Sequence, residues 1–131
     1  MGKLYVLCSN KLDPVYAAVQ GGHAIAEYLS VQETKKPRAE IAWHNETVVY
    51  LSVDVRQWHE YLEAFRGIWW TWAAWREPDV GNEITSIAIC IPEDATRYVD
   101  TNVLQIQRDH KDLLKRLKRE KLLSLYFLHK I

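Results

Sequence analysis

The sequence predicts an α/β domain: a mixed four-stranded sheet with helices packed on it, in the order β-α-β-α-β-β-α, with a long helix closing the chain. Three observations carry this. Two apolar, β-branched runs, Val48–Val53 and Ile84–Ile91, are bounded by turn-forming residues and read as strands. A third strand-like stretch, residues 3–9, opens the chain. Between the strands lie stretches whose apolar residues recur at three and four, the helical period. With 131 residues, 48% of them hydrophobic and 26% charged, the chain has the size and balance of one soluble domain.

The first helix is read from Leu12 to Leu29. Pro14 has no N–H and a fixed φ, which suits a first turn, and Asp13 stands ahead of it as a cap. Val15, Ala18, Val19, Gly22, Ala26 and Leu29 form one apolar stripe; Tyr16, Gln20, His23 and Glu27 repeat on the adjoining face. Each glycine of the pair Gly21-Gly22 costs a helix about 1 kcal/mol against alanine. The pair therefore predicts close approach of another backbone or a ligand. Residues 31–40 are polar and contain Pro37, so they read as a surface connection, and His44-Asn45-Glu46 as a hairpin tip or strand entry.

After the strand at 48–53, Asp54 caps a helix over 55–65 with a stripe of Trp58, Tyr61, Leu62 and Phe65, ended by Gly67. Residues 68–75 are short and aromatic-rich, which favours a strand. Alternation places Trp70 and Trp72 on one face and Trp69, Thr71 and Trp75 on the other. Pro78 stops ladder donation, so residues 76–79 turn the chain. The strand at 84–91 ends at Pro92, a short helix is expected over 93–100, and a long charged helix over 108–128. One domain spans 1–107, with 108–131 its helical extension.

No apolar run approaches the ~20 residues of a membrane span, and the N-terminus enters a strand pattern with no signal-peptide order. Cys8 and Cys90 both sit in apolar runs and read as buried free thiols. A cytoplasmic location is the expectation. The net charge is zero but unevenly spread. Residues 1–107 hold 9 Lys and Arg against 14 Asp and Glu, and residues 108–131 hold 8 against 3. That is an acidic body with a basic arm.

The segment Ala18, Gln20, Gly22, His23 and Ala24 resembles the first-helix pattern of the type II peptidyl-tRNA hydrolases, roughly G-K-x-A-A-Q-x-G-H-A. The strand at 3–8 stands just upstream, as in that family. Asp79-Val80-Gly81-Asn82-Glu83-Ile84 is similar to the family's D-A-G-x-T-x-I turn before its last strand. The resemblance covers residues 3 to 106 weakly and implies a similar sheet. It also implies hydrolysis of the ester joining a peptidyl or blocked aminoacyl group to tRNA. That reaction needs a steered water, a proton acceptor and oxyanion donors.

Carried over residue by residue, the family's glutamine and aspartate are Gln20 and Asp79. Its lysine position holds Tyr16 and its threonine position Glu83, and both departures remove a function. Lys11, in the turn before the helix, is the candidate for the missing cation; its bland reading is an exposed turn lysine. Asp79 is either a catalytic carboxylate or an Asx-turn residue. Glu83 beside it forms an acid pair if both are desolvated. His23 reads as structural, with no nucleophile elbow in the chain. Arg76 is placed to hold a phosphate or ribose, or to pair with Glu77 or Glu83. Asn82 orients a carbonyl or simply turns the chain, and Thr85 is a strand residue. Tyr16, His23, Arg76, Asn82 and Glu83 are thus the substrate-binding candidates.

The five histidines and two cysteines lack metal-ligand spacing, so no metal or cofactor is expected. Four of six tryptophans fall between Trp69 and Trp75. They serve a sheet core and partner surface, or stack on bases of a single-stranded end. Arg108, Lys111, Lys115 and Arg119 make one cationic edge able to follow an RNA backbone, or a solvated face with i,i+4 pairs. The partner expected is tRNA, with a homodimer through the tryptophan strand or terminal helix as a further option. The leading expectation is a peptidyl-tRNA hydrolase. The alternatives are a catalytically silent relative that binds RNA or a nucleotide-like ligand, or a protein-interaction or interference module.

Overall fold

A computed structural model describes residues 2–37, 42–66, 70–92 and 129–130. The helices expected over 93–100 and 108–128, and with them Arg108, Lys111, Lys115 and Arg119, lie outside the described residues, as does Trp69.

The described elements are β1 (Lys3–Ser9), α1 (Pro14–Lys35), β2 (Val48–Val53), α2 (Trp58–Arg66), β3 (Trp72–Glu77), β4 (Glu83–Ile91) and β5 (His129–Lys130). They form a mixed sheet in the order β3-β4-β1-β2-β5. β1 and β2 run parallel, while β4 is antiparallel to both β1 and β3. Four long strands occur in the expected order. β3, however, begins at Trp72 and takes in Arg76 and Glu77, expected as turn residues, because both still pair with β4 before Pro78 ends the ladder. The two-residue β5 adds to the outer edge of β2, opposite Leu51 and Ser52.

β1 sits between two layers, and its alternation decides which residue serves which. Leu4, Val6 and Cys8 pack with Ala17, Ala24 and Tyr28 of α1. Tyr5 and Leu7 pack with Trp58, Tyr61 and Phe65 of α2 on the opposite face. A strand covered on both sides reads as a continuous apolar run, as β1 and β4 do. Trp70 and Trp72 join the α2 layer, and Trp75 the α1 layer. The described tryptophans of this stretch are thus core residues rather than one free face.

α1 starts as the sequence implies, with Asp13 Oδ1 accepting the Tyr16 N–H at 3.0 Å and Pro14 in the first turn. It runs on through residues expected to be a surface connection, ending at Lys36 in a left-handed conformation with φ 47°. The reason is Gln32. Its Nε2 donates to the Trp43 carbonyl at 3.0 Å, and its Oε1 accepts the Trp43 N–H at 2.8 Å and the Tyr28 hydroxyl. One amide thereby ties the last turns of α1 to the following loop and buries Trp43.

The buried face of α1 is Ala17, Gln20, Gly21, Ala24 and Tyr28. The stripe of Val15, Ala18, Val19, Gly22, Ala26 and Leu29 points outward instead. Small residues won the core side because they let the helix lie close on the sheet. A Cβ on Gly21 would fall 2.4 Å from Tyr50 Cε1 and 3.0 Å from Val6 Cγ1, whereas one on Gly22 would meet nothing within 4 Å. Among the described residues no helix is long and apolar enough to cross a membrane.

Candidate functional site

At the carboxyl end of β3 the alternation that turns Ala73 and Trp75 toward α1 brings Glu77 inward as well. Glu77 is 7% exposed although it is a carboxylate. Three donors explain it. The Trp75 indole N–H reaches Glu77 Oε2 at 3.2 Å, the Gln20 amide donates to the same carboxylate, and the Asp79 N–H reaches Oε1 at 3.3 Å. These bonds, in that order, hold its carboxyl below the ordinary glutamate value, and the nearby His23 adds a smaller pull.

Gln20 is the hub on the helix side. Its Oε1 accepts the Thr85 hydroxyl at 2.7 Å, and its backbone carbonyl accepts the Ser86 hydroxyl at 2.7 Å. Gln20, Thr85 and Ser86 are 2%, 4% and 0% exposed, so these bonds satisfy groups that burial would otherwise penalise. Above them the His23 ring stacks on the Trp75 indole, centroids 4.6 Å apart and planes 16° from parallel. Trp75 is half-buried and His23 is exposed.

The other candidates fall around this cluster at different distances. Asp79 is exposed on a 3-10 turn over Pro78–Val80, and its link to Gln20 runs through Glu77. Arg76 is exposed, with Nη1 3.4 Å from the Asn82 carbonyl, and Asn82 holds a left-handed turn position with φ 62°. Glu83 is exposed and lies opposite Glu77 in the β3–β4 register. Tyr16 is half-buried in the first turn of α1.

Lys11 does not join the others. It is exposed beyond the end of β1, and its charge acts on Asp54, after β2. Asp54 also pairs with Arg56, Oδ2 to Nη2 at 2.5 Å. Two strand spacings of nearly 5 Å each separate the end of β2 from the start of β4, into which the Asp79 turn leads. The structure therefore gathers Gln20, His23, Arg76, Asp79, Asn82 and Glu83 around the β3–β4 turn and leaves Lys11 on the β2 side.

Sequence reasoning missed Glu77, Trp75 and Thr85 as site residues. The signal for Glu77 was available: period-two alternation from Ala73 turns it inward, and Pro78 after it ends the strand. Glu77 also acts as the cap of the Pro78 turn. Among the described residues no group of three or more His, Cys, Asp and Glu is placed to hold a metal ion. The sequence matches no protein-family profile and no curated protein at a significant level.

Proposed function

We propose that this chain is a catalytically silent relative of the peptidyl-tRNA hydrolases that binds the nucleotide end of an RNA over the β3–β4 turn. The observation behind this reading is the engagement of Gln20 at both ends of its amide, by Thr85 and by Glu77. A glutamine held this way orients the turn instead of steering a water. Tyr16 and Glu83, at positions where the resembled family has lysine and threonine, point the same way. The exposed His23 ring, backed by Trp75, offers a flat surface for one base, and Arg76 offers a cation for a phosphate.

One observation favours hydrolysis as a second reading. The Asp79 carboxylate is exposed at the rim of the cluster, where it is open to a water and an ester carbonyl.

The test is binding and turnover of N-blocked aminoacyl-tRNA by the full chain. Saturable binding that weakens as salt rises, with no turnover above the spontaneous rate, is the expected result. His23→Ala is expected to weaken that binding about tenfold, the scale of one lost stacking contact. Turnover abolished by Asp79→Ala would instead establish the enzyme. Neither binding nor turnover would leave the protein-interaction reading.

A further inference from the structure

From Pro14 to Ala26 the sequence of α1 contains no Asp, Glu, Lys or Arg, yet much of this stretch faces outward. Val15 is 77% exposed, Val19 52% and Leu29 45%. A solvated helix face ordinarily carries charges at such positions. At the middle of the stripe stands Gly22, whose missing side chain faces open space. Gly21 is explained by its close fit against Tyr50, whereas no described residue comes within 4 Å of where a Cβ on Gly22 would stand.

The stripe has a second property. Outward residues equidistant from Gly22 match in kind, Val15 with Leu29 and Ala18 with Ala26, while Ile25, the counterpart of Val19 in this count, packs toward the core. Large apolar residues sit at the ends, alanines four residues to either side of the centre, and glycine at the midpoint, with Val19 three residues before it. Such a surface is complementary to itself under a twofold rotation that sets two helices antiparallel. The spacing is that of a 3.5-residue seam, which crosses at about 20°. The glycine midpoint lets the two backbones approach most closely where they cross.

Charge agrees with the antiparallel register. Glu33 lies as far after Gly22 as Lys11 lies before it, and both are exposed. In the antiparallel pair each Glu33 comes to the positive N-terminal end of the other α1, beside Lys11 of the second copy. In a parallel pair each Glu33 would meet the other Glu33.

We infer that the outward face of α1 is a homodimer interface, two copies of this chain packing α1 against α1 antiparallel about a twofold axis through Gly22. The stripe borders the His23–Trp75 cluster, since Val19 and Ala26 stand four residues before and three after His23 on the same helix, but the inference does not depend on what that cluster binds.

Sedimentation and disulfide trapping of the full chain test it. The wild-type chain is expected to dimerise reversibly. Val19→Glu and Gly22→Glu are expected to raise the dimer dissociation constant at least tenfold without changing the circular dichroism spectrum, because both positions are exposed on α1. Gly22→Cys is expected to trap a disulfide dimer. Val15→Cys should cross-link to Leu29→Cys in a mixture but not to itself, since its two copies lie about 20 Å apart along the helices.

A chain that stays monomeric at its highest soluble concentration overturns the inference. So does a dimer unaffected by Val19→Glu, or self-cross-linking of Val15→Cys. Vesicle binding through this face by a monomeric chain would overturn it too, by assigning the stripe to a lipid surface.

Discussion

The His23 ring lies on the Trp75 indole at 4.6 Å, joining the outer surface of α1 to the edge strand β3. This stack roofs the hydrogen bonds between Gln20, Glu77 and Thr85, so helix and strand are tied by polar bonds beneath and by aromatic contact above. Removing the imidazole with His23→Ala is expected to cost about 0.5–1.5 kcal/mol, the worth of an aromatic pair. His23→Phe is expected to retain most of it. Urea unfolding followed by far-UV circular dichroism measures both.

Gln20→Ala leaves the Thr85 hydroxyl and one side of Glu77 without their partner in a buried setting. A loss of about 1–3 kcal/mol is expected, the scale for an unsatisfied buried polar group. Gln20→Glu keeps the shape but sets a second carboxylate against Glu77, so its loss should be larger at pH 7 than Gln20→Leu. Chemical denaturation at fixed pH compares the three.

Glu77 also predicts how stability varies with pH. Its donors favour the carboxylate, so its folded-state pKa lies below the unfolded one. A group shifted this way contributes fully above the unfolded value, about 4.3 for glutamate, and loses its contribution as pH falls through the folded value. The melting temperature should therefore drop in acid, and Glu77→Gln should flatten the drop while lowering stability at neutral pH. Asp54, held down to about 2 by its bonds from Arg56, loses its smaller, solvent-screened share lower in the same range.

The adjacent glycines of α1 should respond with opposite signs. Gly21→Ala drives a methyl into Tyr50 and Val6 and is expected to destabilise despite alanine's better helix propensity. Gly22→Ala meets nothing among the described residues and should gain about 0.5–1 kcal/mol in dilute solution. Thermal melts of the two variants beside the wild type decide it.

Cys8 and Cys90 are fully buried, and burial pushes their thiols up to about 12 and about 11. Neither forms a thiolate at neutral pH, so alkylation by iodoacetamide is expected only after unfolding. Counting modified thiols by mass spectrometry, native against denatured, checks this.

Much of the sheet was legible because its strands are apolar runs between turn residues, and such runs have few other ways to fold. The N-terminus of α1 was legible for a local reason, since Asp13 and Pro14 act on their own helix. What escaped depended on distant partners. The far end of α1 is stabilised by Trp43, which no periodicity within 31–40 reveals. The buried side of α1 was hidden because close packing on the sheet rewards alanine and glycine, while a hydrophobicity pattern rewards valine and leucine. Gln20 stood out as a polar residue on a face of small ones, but its partner Glu77 lies 57 positions away in sequence. Their pairing follows from α1 and β3 lying side by side, a relationship no short motif encodes.

Gln32 has a consequence for chemical ageing. Its amide serves Trp43 as a neighbouring strand would, giving to the carbonyl and taking from the N–H of one residue. Conversion to glutamate by slow deamidation would keep the acceptor and abolish the donor, leaving a negative oxygen facing the Trp43 carbonyl. The fastening between the tail of α1 and the loop that leads into β2 would then repel where it had held. A preparation that loses its fold on storage would be expected to come apart first along this seam.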